Sequence, residues 1–151
     1  SRRQCTCTPT QVNRYRSRIS GPLLDRIDIQ VEVSNVDYED LSSTENSETS
    51  AEIKKRVNKT RKLQLERYKD YNIYSNSQLD AGMLKKFCPL GEEENAILRA
   101  AFDNLGLSAR AHSRILKVAR TIADLEGSEN IKSEHIAEAI QYRSLDRKYF
   151  E

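Results

Sequence analysis

The sequence predicts a mainly helical protein, in which a small helical bundle follows one helix and one β-strand that has no partner strand. The chain has 151 residues, enough for one domain or for one domain with a fragment of another. Its 5 Gly and 3 Pro are too few for a turn-rich all-β fold. Apolar residues recur at helical spacing after residue 50, whereas a clean period of two occurs only over residues 27–33.

The first element is a helix that begins at Pro9. Thr8 is a capping residue, Pro9 occupies the first helical position, and Gln11 follows three residues after the cap. We expect this helix to end near Ile19, because Pro22 disfavours helical geometry in the residue before it.

One strand is predicted directly after a short turn at residues 23–26. Apolar and polar side chains alternate over residues 27–33, which is typical of a strand with one buried face. The apolar members are Ile27, Ile29, Val31 and Val33. No second convincing strand is present in the sequence, so this first part of the chain reads as an incomplete domain.

Five helices are predicted after residue 50, over about 50–71, 80–87, 92–105, 108–126 and 132–143. The inward stripe of the first is Ile53, Val57, Thr60, Gln64, Tyr68 and Tyr71. The inward stripe of the fourth is Ala111, Ile115, Val118, Ile122 and Leu125. Gly106 and Gly127 are expected to end the third and fourth of these helices. Together they form a small bundle.

A boundary between two parts is predicted where the charge changes sign. Residues 37–52 carry six acids and no base, and residues 42–50 have no apolar side chain to bury. We therefore divide the chain into residues 1–38, an acidic linker over 39–50, and the helical bundle over 51–151.

Composition excludes several classes of protein. A net charge of +2 does not indicate a nucleic-acid binder, and no apolar run approaches the roughly 18 residues of a membrane span. Three cysteines do not make a disulfide framework, and the first residues have no apolar stretch of a signal peptide, so we expect a cytoplasmic protein. No phosphate-binding loop is present, and His112 and His135 lack a metal-ligand spacing.

Four sequence blocks carry a resemblance to a known family. They are CTCTPTQV at 5–12, SGPLLDRID at 20–28, SAR with RILKVARTIADL at 108–125, and QYRSLDR at 141–147. These blocks resemble the magnesium-chelatase-like AAA+ ATPases, and within them the competence protein (ComM, YifB) group. The run SGPLLDRID resembles the segment after sensor 1 of that family. The resemblance implies that residues 1–38 are the C-terminal end of the ATPase core and residues 51–151 the lid, so the fold class becomes an AAA+ lid-type bundle.

The resemblance also implies residue roles. Arg26 matches the arginine finger, which acts in trans on the nucleotide of a neighbouring subunit; the alternative is a surface pair with Asp25 or Asp28. Arg110 and Arg114 are the candidates for the sensor 2 arginine, with Arg110 preferred, and the alternative is a solvated basic face.

The phosphate loop and the Walker B acids of the family would lie upstream. We therefore expect ATP and Mg²⁺ in the full-length protein, and expect this chain alone to hold neither and to be inactive. Cys5 and Cys7 are half of a possible four-thiolate zinc site, or two free thiols. Cys88, before Pro89, is interpreted as a buried small apolar residue.

The function implied by the resemblance is ATP-driven remodelling of DNA, by branch migration or unwinding in recombination or transformation, in a hexameric ring of identical subunits. Two basic surfaces could contact DNA, one at Arg14, Arg16 and Arg18 and one over residues 54–69; ordinary surface charge is the alternative. Competing functions are a non-enzymatic helical module that binds DNA or a partner, and a chelatase-type motor that remodels a protein.

Overall fold

A computed structural model of the chain describes residues 5–34 and 48–143, and within them it has seven α-helices and no strand. The helices are α1 Pro9–Arg16, α2 Gly21–Leu24, α3 Ser50–Arg67, α4 Ala81–Phe87, α5 Glu92–Leu105, α6 Ala109–Glu126 and α7 Ser133–Gln141, with a 3₁₀ turn at Asn76–Gln78. The mainly helical fold is therefore confirmed. Residues 39–47 of the predicted linker lie outside the described residues.

Helix ends follow the capping residues that the sequence offers. Thr8 and Gln11 form a reciprocal capping box at the start of α1, and Thr49 and Glu52 form another at the start of α3. Gly106 and Gly127 end α5 and α6 in the left-handed conformation, with φ of 57° and 83°, which glycine adopts without steric cost.

Helix α6 is the centre of the bundle. It packs against α7, α3, α4 and the 3₁₀ turn, and α5 packs against α7. The buried core comprises Tyr68, Leu79, Leu84, Cys88, Leu98, Ile115, Leu116, Ala119, Ala123, Ile131, Ile136 and Ala139. No helix among the described residues has both the length and the apolar character needed to cross a membrane.

The strand predicted over residues 27–33 is wrong. The segment is irregular, and its apolar side chains are exposed, up to 86% for Val33. A strand is stable only when its backbone groups pair with a neighbouring strand, and the described residues contain none. Part of the segment instead bonds to the bundle, where the Gln30 N–H donates to the Tyr142 carbonyl at 2.9 Å.

Four details of the helices also differ from the sequence prediction. Helix α1 ends at Arg16 rather than near Ile19, and α3 ends at Arg67. Thr60 and Gln64 of the predicted inward stripe of α3 are buried, but Ile53 and Val57 in its first turns are each 41% exposed. Leu125, at the end of α6, is exposed as well. Periodicity marks which side of a helix is apolar, whereas burial also requires a neighbour along its full length.

Candidate functional site: an arginine turn and a basic cleft

A short turn presents Arg26 on the surface. Pro22 lies in the first turn of α2, and Leu24 at its end is buried. The backbone then closes two further turns, in which the Arg26 N–H donates to the Leu23 carbonyl at 3.0 Å and the Ile27 N–H donates to the Leu24 carbonyl at 2.9 Å. Arg26 itself is exposed. Residues 23–27, which we call the arginine turn, therefore have a hydrogen-bonded backbone and an accessible guanidinium.

Both acids beside Arg26 are bonded to other arginines. The Asp25 carboxylate lies 3.5 Å from Nη2 of Arg143, and the Asp28 carboxylate forms an ion pair with Arg114. Among residues 5–34 and 48–143, no hydrogen bond or ion pair involves the Arg26 side chain. The surface pair that the sequence left open for Arg26, with Asp25 or Asp28, is therefore not formed.

A cleft of about 850 Å³ lies along α6, from Ala109 to Leu125. Arg110, Arg114 and Lys117 line it from α6, while Asp28 and Ile29 line it from the segment after the arginine turn. Ser108 caps the N-terminal end of the helix by accepting from the Ala111 N–H at 3.2 Å. The carboxylates of Asp28 and Glu138 line the cleft as well, so cations outnumber acids there by three to two. Arg110 lies in the first turn of α6, at the positive end of the helix dipole, where an anion is favoured.

Only one of the three cations in the cleft is without a partner in the part of the chain that the structure describes. Arg114 pairs with Asp28, and Nζ of Lys117 donates to the Ser77 carbonyl at 2.8 Å. Arg110, in the first turn of α6, is exposed and makes no such contact there. The cleft therefore presents the Arg110 guanidinium to a ligand without the loss of an existing bond.

Sequence reasoning missed a buried polar network beneath the cleft. The Asp124 carboxylate, on α6, is fully buried and accepts bonds from four side chains. Arg67 donates to it twice, at 2.8 and 2.5 Å, and Arg120 donates at 3.0 Å. Gln64 and Asn76 donate to it at 3.2 and 2.9 Å. This carboxylate fastens α3 and the 3₁₀ turn to α6.

The network has an electrostatic effect and reaches the cleft wall. Burial tends to lower the pKa of Arg67, but the hydrogen bonds and charge of Asp124 raise it overall, so the cation is retained. Asn76 also donates to the Thr121 hydroxyl at 3.0 Å, and Thr121 lines the cleft. The spacing of Arg120 and Asp124, four residues apart on an otherwise apolar helix face, is the sequence feature that could have indicated the network.

The three cysteines fall into two environments. Cys5 and Cys7 are exposed, and the backbone and thiol of Cys7 lower the pKa of Cys5. Cys88 is buried, as predicted, and its burial raises its pKa to about 11. Two adjacent thiols supply half of the ligands of a structural zinc site.

We expect two of the three thiols to react with dithionitrobenzoate in the folded protein at pH 8. The thiolate is the nucleophile, and a pKa raised from 9.0 to about 11 keeps Cys88 protonated at that pH. Cys88 should react only after unfolding in denaturant. Rapid reaction of all three thiols in the native protein would contradict the burial of Cys88.

His135, Glu126 and Glu134 form a cluster of titratable side chains between the end of α6 and the start of α7. Nδ1 of His135 accepts the Lys132 N–H at 3.0 Å, so the neutral ring carries its proton on Nε2, which bonds to Glu126. Lys132 also pairs with both glutamates, at 3.5 and 3.1 Å. All three side chains are thus engaged with one another or with Lys132, and these residues form a hydrogen-bonded charge cluster.

The two predicted basic surfaces are exposed in different degrees. Arg14 on α1 and Arg18 just beyond its end are exposed, whereas Arg16 is half-buried. On α3, a groove of about 930 Å³ is lined by Lys54, Lys55, Arg56, Lys59 and Lys62, among others.

Two of the nearby tyrosines have a packing role, as the sequence predicts. Tyr68 and Tyr71 each meet Phe87 edge to face, with ring centroids 5.0 and 5.1 Å apart. Tyr74 is 63% exposed. The rings of Tyr68 and Tyr71 therefore pack against another side chain of the bundle.

Comparison with known proteins places the chain among chelatase-like proteins. A family model described as magnesium chelatase, subunit ChlI C-terminal, matches residues 47–143, and one described as magnesium chelatase, subunit ChlI, matches residues 1–41. The chain is 43% identical over 141 residues to competence protein ComM of Haemophilus influenzae and 42% identical over 142 residues to the uncharacterized protein YifB of Escherichia coli. Each match covers 93% of this chain and 27% of the relative, so the chain spans about a quarter of their length.

Proposed function

The chain belongs to the magnesium chelatase ChlI family, in its ComM and YifB group, and from that membership we propose that it supplies two arginines to an AAA+ ATPase. Arg26 is the arginine finger and Arg110 the sensor 2 residue of a ring of identical subunits. The single observation that carries the proposal is that both side chains are exposed and unbonded within the described residues, while Arg114 beside them is paired.

We assign the two parts of the chain to two parts of the ATPase. Residues 1–38 are the end of the ATPase core, residues 39–50 the linker and residues 51–151 the lid. The two family models meet between residues 41 and 47, inside the proposed linker, which supports this division. The tight packing of α5, α6 and α7 supports treating the lid as one unit.

Arg26 acts on the nucleotide of the neighbouring subunit. A guanidinium beside the transferred phosphoryl group neutralises the negative charge that develops there, and in well-studied cases such a residue is worth about 10³–10⁵ in rate. This role requires an accessible side chain on an ordered turn. Residues 23–27 provide both, through their closed backbone turns and the exposed Arg26 side chain.

The cleft on α6 fits phosphate oxygens better than it fits Mg²⁺. Mg²⁺ prefers carboxylate and water ligands, and both carboxylates in the cleft already have partners. Asp28 is paired with Arg114, and Glu138 accepts from the Tyr142 hydroxyl at 3.0 Å. When bound, Mg²⁺ neutralises charge on the phosphates, and we expect residues upstream of this chain to hold it. Arg110 contributes a charge-assisted hydrogen bond to a phosphate oxygen.

We expect Arg110→Ala in the full-length protein to weaken ATP binding by about 10- to 100-fold, because a hydrogen bond to a charged group is worth about 1.5–3 kcal/mol. The matched variant is Arg114→Ala, which removes a neighbouring arginine that is already paired with Asp28. Titration calorimetry with a slowly hydrolysed ATP analogue measures both. A larger loss of affinity in Arg114→Ala would assign sensor 2 to Arg114 instead.

DNA is the proposed substrate of the motor. The basic groups that line the α3 groove are spaced along one helix, as contacts to successive phosphates require. The Haemophilus influenzae relative is named as a competence protein, which supports a role in the handling of incoming DNA. We propose that hydrolysis moves the lid and that the ring uses this motion for branch migration or unwinding.

A further inference from the structure

Arg143, just beyond the C-terminal end of α7, holds the turn that carries Arg26. Its side chain is only 1% exposed. Nη1 donates to the Ile27 carbonyl at 2.8 Å, and Nη2 lies 3.5 Å from Oδ1 of Asp25. The guanidinium therefore bonds to the residues on both sides of Arg26.

Two further contacts join the same segment to the bundle. The Gln30 N–H donates to the Tyr142 carbonyl at 2.9 Å, and Asp28 pairs with Arg114 on α6. The contacts to Asp25, Ile27, Asp28 and Gln30 fall within six consecutive residues. The bundle thus restrains the turn before and after Arg26. The contacted residues, 25–30, lie about twenty residues before the first helix of the bundle in sequence.

We propose that Arg143 is a positioning residue for the arginine finger, an inference that rests on the proposed role of Arg26. Its guanidinium has the planar fork that bonds two acceptors at fixed angles, which an ammonium group does not provide. By holding Asp25 and the Ile27 carbonyl, it fixes the direction in which the Arg26 side chain leaves the turn. It also attaches that turn to the lid, so a movement of the lid carries Arg26 with it.

The expected kinetic effect follows from geometry. A displacement of a catalytic group by about 1 Å can cost about 10²-fold in rate. Arg143→Ala in the full-length protein should therefore reduce ATP turnover by about 10- to 100-fold, with ATP affinity within about twofold of wild type. Arg143→Lys keeps the charge but reaches only one acceptor, so its loss should be smaller.

The test uses hybrid rings, because a positioning effect on a finger acts on the neighbouring subunit. Arg143→Ala subunits are mixed with subunits whose upstream phosphate-loop lysine is substituted, which disables their own nucleotide site but leaves their finger intact. The mixture should recover turnover, as an intact finger then meets an intact site at some interfaces. Arg26→Ala mixed with the same partner is the positive control. Leu98→Ala, which removes a core side chain of α5, is the control for reduced stability.

Three results would overturn the inference alone, and the first two concern Arg143→Ala itself. One is wild-type turnover in Arg143→Ala where Arg26→Ala is inactive, and the other is recovery in hybrids of Arg26→Ala but not in hybrids of Arg143→Ala. Turnover lost equally in Leu98→Ala would likewise reduce Arg143 to a role in stability. Wild-type turnover in Arg26→Ala would overturn the proposed function, and the inference with it.

Discussion

Substituting Arg26 by alanine should lower ATP turnover of the full-length protein by about 10³-fold or more, while ATP binding and folding stay intact. Arg26 is exposed and bonds to no other side chain among the described residues, so its removal breaks no native contact there. Surface substitutions of this kind usually change stability by about 0.5 kcal/mol or less. Steady-state hydrolysis, titration of ATP and thermal unfolding measure the three quantities.

The matched control for this variant is Arg99→Ala. Arg99 is an exposed arginine on α5, outside the arginine turn and outside the cleft on α6. We expect its turnover to equal that of the wild type. If assembled rings of Arg26→Ala also hydrolyse ATP at the wild-type rate, Arg26 is an ordinary surface arginine and the finger is elsewhere.

The second large effect concerns stability. Asp124→Ala should lower the free energy of unfolding by about 3–5 kcal/mol, because it leaves the buried Arg120 and the partly buried Arg67 without their common carboxylate. Total stabilities of domains are about 5–15 kcal/mol, so this variant approaches the limit of folding. Urea unfolding of the 151-residue chain, followed by circular dichroism, measures the change.

A surface ion pair provides the comparison for Asp124. Glu66 and Lys69 pair on the surface, with both side chains more than half exposed. Glu66→Ala should therefore change stability by much less, since exposed pairs are worth at most about 1 kcal/mol. Equal effects of Asp124→Ala and Glu66→Ala would show that the network does not fasten α3 to α6.

Local sequence patterns predicted the helices well because their causes are local. The capping box of Thr8 and Gln11, the cap at Ser108 and the stop at Gly127 each depend on a few neighbouring residues. The strand over residues 27–33 depended instead on a partner, and alternation alone does not supply one. The exposure of Ile53 and Val57 has the same origin, because burial depends on what lies opposite.

For the candidate site, too, short motifs identified some residues, whereas contacts that depend on the fold were missed. Arg26 and Arg110 were named from the resemblance of short motifs, which needs no tertiary information. Whether Asp25 and Asp28 would pair with Arg26 depended on distant residues, and the fold supplies Arg143 and Arg114 to them. The Asp124 network was also missed, because its members come from α3, the 3₁₀ turn and α6 and meet only in the folded bundle.

The most direct test of the proposed motor is ATP turnover by the full-length protein, measured with and without DNA. We expect hydrolysis that increases when single-stranded or branched DNA is added, and no such increase in Arg26→Ala. No hydrolysis under either condition would contradict the proposed motor and favour a non-enzymatic binding module. Hydrolysis that DNA leaves unchanged would also contradict it, and would favour a chelatase-type motor that remodels a protein.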